Sequence, residues 1–166
     1  MDYYEEKLFS ILNLVNTQST KALDLTDYAN AVASLEKSIT AYLAEKDGEY
    51  KEVLRDSSIQ RFEYVFEFSH KILRRYLSWH VPMPQMKVSE ISFAELVRIA
   101  NEHKLFTEPY ETWNKYRNMR NITSHTYNEG AAEQVLEIIP AFLEEVKKFL
   151  AKMQENLAKA KDGSAT

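Results

Sequence analysis

The chain has 166 residues and a formal net charge of −4, with 45% of its residues hydrophobic and 28% charged. That length buries a core without staples, and only three glycines and four prolines argue against disorder and against a many-turned β-sandwich, so one all-α domain is expected. The absence of cysteine excludes disulfides, thiolate metal sites and cysteine nucleophiles and fits a reducing cytoplasm, while the acidic balance excludes a global basic field for nucleic acid and makes any RNA site local.

In chain order, helical periodicity recurs almost everywhere. Residues 3–16 align Tyr4, Leu8, Ile11, Leu12 and Val15 before the unpatterned NTQSTK. Residues 1–20 read as a short appended helix or a segment added for expression. Acid stands there where a signal peptide carries base, which predicts a protein that is not exported. A second segment, about 24–45, repeats Tyr28, Val32, Leu35, Ile39 and Tyr42 and stops at Asp47-Gly48, a turn dipeptide. The third is expected to open at a capping box of Ser57 and Gln60 and run to His80. Its stripe is Phe62, Val65, Phe66, Ser69, Ile72, Leu73, Tyr76 and Leu77. Tyr64, Phe68 and Trp79 fall outside that stripe, a second apolar face for either a central place in the bundle or another subunit.

The prolines of VPMPQMK end that helix. Ser92 and Glu95 form a capping box for a short helix to about Lys104, with Phe93, Leu96, Val97 and Ala100 inward. Thr107, before Glu108-Pro109, suits the cap of a helix reaching about Asn121. The last helix, about 129–158, keeps Val135, Ile139, Phe142, Val146, Phe149, Met153 and Leu157 in phase across Pro140, which predicts a kink rather than a break. Residues 21–158 are therefore expected to form an up-and-down bundle of four to five core helices, and 159–166 a disordered tail. No apolar run approaches the ~20 residues that span a bilayer.

The stretch RNMRNITSHTYN, from Arg117 to Asn128, concentrates polar side chains between two helices. On one continuous helix Arg120 and His125 would point about 140° apart, so they share a site only if the helix ends between them. ITSHT supports that ending, and Asn128 suits the cap of the next helix. An arginine fork holds phosphate at any relevant pH, and an unperturbed histidine exchanges its proton near neutrality. Together they suffice for metal-free RNA cleavage by a neighbouring 2′-hydroxyl: His125 as general acid or base, Arg120 stabilising the charged transition state, Asn121 orienting. A plainer reading stands beside this one, because the helix dipole and free carbonyls favour arginine and histidine at any helix C-terminus.

Local positive charge comes from Lys115, Arg117 and Arg120, with Lys71, Arg74 and Arg75 as further candidates. Glu63 and Glu67 suit a solvated helix face. The four histidines show no metal-ligand spacing and no phosphate loop occurs, so neither metal nor cofactor is expected.

RNMRNITSHTYNEG resembles the R-N-x-x-x-H-x-Y signature of HEPN-domain proteins, specifically the HepT toxin group, also catalogued as nucleotidyltransferase substrate-binding proteins. QRFEYVFEFSHKILRRYL, from Gln60 to Leu77, is similar to that family's RFEYTFELxWK helix. The resemblance covers roughly residues 23–153. It implies a HEPN bundle, a homodimer whose two subunits line one cleft, and a minimal nucleotidyltransferase as partner. It further implies a toxin-type, metal-independent ribonuclease in which Arg120 and His125 are catalytic, Asn121 and Arg117 support them, and Tyr127 accepts AMP from the partner, silencing the enzyme. The other reading is a non-catalytic subunit that presents a substrate, or its own Tyr127, to the nucleotidyltransferase.

Overall fold

The computed structural model describes residues 23–81, 88–123 and 129–163. Among them the chain is all-helical: α1 (Thr26–Ala44), α2 (Glu49–His80), a 3₁₀ turn (Val88–Glu90), α3 (Phe93–Glu102), α4 (Tyr110–Thr123) and α5 (Glu129–Gly163). Residues 1–20, expected as an appended segment, lie outside this description.

The helices alternate in direction where their side chains meet. Tyr28, early in α1, shares a 2.7 Å hydrogen bond with Ser69, late in α2, whereas Ser38 near the end of α1 meets Ser58 near the start of α2 at 3.0 Å. That pairing is antiparallel. α5 runs alongside α2 in the same direction, with Phe62 edge-on to Phe142 and the Asn156 amide donating to Tyr76 Oη at 3.0 Å. The all-α, up-and-down bundle is the architecture found.

The expected stripes are the core. Val32, Leu35, Phe62, Leu73, Val97, Ile139, Phe142 and Phe149 are all buried, and each such side chain contributes about 1.5–3 kcal/mol on leaving water. Trp113 and Tyr116 of α4 join them. After α3, Lys104 adopts a left-handed φ of 57° and Leu105 N–H donates back to Ala100 O at 2.8 Å, a reversal that ends the helix by satisfying a free carbonyl. The chain so turned places Phe106 in a stack on Trp113, centroids 4.0 Å apart, and this anchors α4.

Three boundaries differ from expectation. α2 begins at Glu49 rather than at Ser57, with Gly48 at φ 138° before it, a conformation open to glycine. Ser57 and Ser58 cap nothing: Ser58 Oγ donates to Leu54 O one turn back at 2.7 Å and meets Ser38 across the α1–α2 contact. Thr107 is likewise no cap, because both its N–H and its hydroxyl go to the buried Glu145 of α5. α5 passes through Pro140 unbroken and reaches Gly163, so residues 159–163 are its end rather than part of a structureless tail; alanine and lysine there favour helix. Ser92 does cap α3, accepting from Glu95 N–H at 3.2 Å.

Candidate functional site

Of the residues singled out in the signature, Arg117, Arg120 and Asn121 are described, while His125, Tyr127 and Asn128 lie outside the described residues. Arg120 occupies the last turn of α4, which ends at Thr123. The Thr123 hydroxyl donates to Arg120 O at 2.7 Å, satisfying one of the carbonyls that a helix end leaves free. Arg120 Nε lies 2.9 Å from Glu67 Oε1 of α2, and its Nη1 is 3.5 Å from Asn121 Oδ1.

Glu67 is therefore not on a purely solvated face, as its spacing had suggested. It faces α4. One turn further along α2, His70 is largely buried, edge-on to Phe66 at 4.4 Å and to Phe93 at 4.9 Å, with Trp113 at 6.4 Å. Burial lowers its pKa to about 4, and the nearby Arg74, Arg117 and Arg120 act in the same direction. The imidazole is thus held neutral with three guanidinium groups nearby.

The candidate basic residues divide into two sets. Arg74 is held in the fold, its two amino nitrogens donating to Val88 O and, at 3.0 Å, to Ile91 O. The Arg117 guanidinium lies over the Phe93 ring, 5.0 Å from its centre, a cation–π contact that leaves its edge usable. Lys71, Arg75 and Lys115 are exposed. So Arg117 and Arg120, about 60° apart around α4, form the local positive group, Lys115 points away from both, and Arg74 does not extend the group.

Beside the end of α4 opens a cleft of about 720 Å³, lined among others by Asp56, Gln60 and Glu63 of α2, Thr123 of α4 and Glu129 of α5. Arg55 also reaches it but is paired with Asp56 at 3.0 Å. Among the described residues its polar walls carry more carboxylates than cations. Among the described residues no three His, Asp or Glu side chains gather to hold a metal ion.

Comparison with known proteins places the chain. The family described as nucleotidyltransferase substrate binding protein like matches residues 23–155. The chain belongs to this family. A Haemophilus influenzae relative named probable ribonuclease HepT is 32% identical over 105 residues, which is 63% of this chain and 70% of that protein. The fold of the present chain matches HI0074 of the same species, whose structure was described as the substrate-binding domain of a nucleotidyltransferase: TM-score 0.72, 29% identity, 79% of this chain and 99% of that one. A solved protein from Thermus thermophilus aligns with TM-score 0.59 and 27% identity over 76% of this chain and 98% of its own. Family membership implies a nucleotidyltransferase as partner, and among the described residues no helix is long and apolar enough to cross a membrane.

Sequence reasoning missed Glu67 and His70. A signal was present: Glu63, Glu67, His70 and Arg74 recur at four, three and four residues, a spacing that sets them on one flank of α2 beside its apolar stripe.

Proposed function

We propose that this protein is a cytoplasmic, toxin-type, metal-independent ribonuclease regulated by a nucleotidyltransferase, with Arg120 and His125 as its cleaving pair. The observation that carries this reading is Arg120: a guanidinium in the last turn of α4, one turn before the cleft residue Thr123 and beside the exposed Arg117 and Asn121. In the reaction, the RNA 2′-oxygen attacks its own phosphodiester as His125 takes the proton. The P–O bond to the 5′-oxygen breaks, that oxygen is protonated, and a 2′,3′-cyclic phosphate remains. Arg120 stabilises the added charge on phosphorus-bound oxygens, with Arg117 and Asn121 supporting substrate placement. The name of the H. influenzae relative points to the same activity.

The same reading includes a homodimer whose subunits share a cleft, with exposed Tyr64 and Trp79 on the free face of α2 as contact surface. It also makes Tyr127 the acceptor of AMP from the partner enzyme; the added phosphodiester charge and nucleoside exclude RNA. No metal or cofactor is called for.

A second reading rests on the cleft itself. Asp56, Glu63 and Glu129 on its walls suit a substrate or partner that is not polyanionic, which favours a non-catalytic substrate-binding subunit. One experiment separates the two. Bulk RNA is incubated with the purified protein in excess EDTA, beside Arg120→Ala and His125→Ala. The ribonuclease reading expects cyclic-phosphate ends from wild type and loss of cleavage by about 10²-fold or more in both variants. Equal inertness of all three, with no AMP on Tyr127 by intact mass, leaves the binding subunit.

A further inference from the structure

Tyr110, Asn114, Arg117 and Asn121 recur along α4 at intervals of four, three and four residues, which puts them within an arc of about 60° around the helix. Tyr110 is 37% exposed, Asn114 is half-buried, and Arg117 and Asn121 are exposed. The stripe is anchored from α3. The Arg117 guanidinium lies over the Phe93 ring at 5.0 Å, and the Tyr110 ring packs against the same ring at 6.1 Å. Phe93 is itself held edge-on to His70 at 4.9 Å. One ring therefore fixes an exposed aromatic and, seven residues on, a cation.

We infer that this stripe is a track for single-stranded RNA, leading the strand along α4 toward the end of the helix. The inference rests on the ribonuclease reading above, which puts the reacting phosphodiester at that end. Carboxylates border the stripe on both flanks. Glu111, the one acid of α4, lies about 60° beyond Asn114, and on the opposite flank Glu67 of α2 lies 2.9 Å from Arg120. A polyanion is therefore admitted along the stripe and repelled to either side of it. The cleft at Thr123 is walled by Asp56, Glu63 and Glu129, so the strand arrives from the Tyr110 end.

Each member of the stripe has a use on such a strand. The Tyr110 ring stacks an unpaired base, a contact indifferent to sequence because every base has a π-face. Arg117, seated over Phe93, keeps the edge of its fork for a phosphate. Asn114 and Asn121 each carry an acceptor oxygen and two donors, which suit base edges and ribose 2′-hydroxyls. From Tyr110 to Asn121 the helix rises about 16 Å, the length of a few nucleotides. A duplex hides its base faces, so the stripe selects the single strand.

The test is fluorescence anisotropy of a short labelled single-stranded RNA, with His125→Ala as the parent so that the RNA stays intact, beside the same sequence as a duplex. The expected result is tighter binding of the single strand and a Kd raised about tenfold by Tyr110→Ala. Tyr110→Phe, which keeps the ring, stays within about twofold of the parent, as does Lys115→Ala, whose charge points away from the stripe. In the cleaving background Tyr110→Ala raises KM and leaves kcat nearly unchanged. The track is overturned by no binding of either RNA, by equal affinity in Tyr110→Ala and its parent, or by an equal loss in Lys115→Ala. A dimer-to-monomer change in Tyr110→Ala by light scattering also overturns it and makes the stripe a subunit contact. Binding in the expected pattern without cleavage by wild type upholds the track and fails the ribonuclease reading. Cleavage by wild type with KM unchanged in Tyr110→Ala does the reverse.

Discussion

At position 70 the chain buries an imidazole among three aromatic rings and close to three guanidinium groups, and that setting fixes its charge. The unfolded chain takes up this proton near the ordinary pH of 6.5, the folded chain only near pH 4. Between those values the unfolded state binds more protons, so stability falls as pH falls. The contribution of neutral His70 is complete above about pH 6.5 and is lost by about pH 4, with a span of roughly 3 kcal/mol. Urea denaturation at a series of pH values checks this: the wild-type midpoint should drop across that window, and His70→Leu should remove much of the drop. The spacing of Glu63, Glu67, His70 and Arg74 sets His70 on one flank of α2, but its burial was not legible there, since the rings beside it, Phe93 and Trp113, come from two other helices.

At the scale of elements, the phase of each helix was readable and its ends less so. Phase depends on apolar residues at three and four positions, which burial rewards in any helical packing. Ends depend on where polar side chains find partners. Ser57 and Thr107 look like caps in isolation, yet Ser38 and Glu145 from other helices engage them. Glu145 shows the consequence. Buried in α5, it accepts from Thr107 N–H at 2.8 Å, from the Thr107 hydroxyl and from Glu108 N–H at 3.1 Å, and so ties the α3–α4 connection to α5. Burial, with Glu108 and Glu145 nearby, pushes the Tyr116 phenol up to about 12. Glu145→Leu leaves the two N–H groups without their carboxylate, and a loss of about 3 kcal/mol is expected in chemical denaturation. A loss below about 0.5 kcal/mol would mean that water replaces the carboxylate freely.

For the whole molecule, charge sets the terms of any RNA encounter. A net charge of −4 leaves recruitment to the α4 pair of Arg117 and Arg120. If these two neutralise one phosphate each, the slope of log affinity against log salt is about −1.4 for single-stranded RNA, and about −3 where two subunits share a cleft. Fluorescence anisotropy across a salt series measures this, and light scattering on the same samples reports whether the protein is dimeric. A slope near zero would place RNA elsewhere or nowhere and favour the binding-subunit reading.

Sequence alone determined the all-helical class, the buried stripes of each helix and the two blocks that mark the family, because these are written in local periodicity and in contiguous motifs. Tertiary structure decided which polar residues meet. Glu67 and Arg120 are 2.9 Å apart only because α2 and α4 pack at one relative rotation, and the same packing encloses His70 and commits Arg74 to backbone carbonyls. A helix presents its polar flank at known angles, but what that flank meets depends on the neighbour, and contacts between residues far apart in sequence are set by the packing of the core rather than by any local spacing.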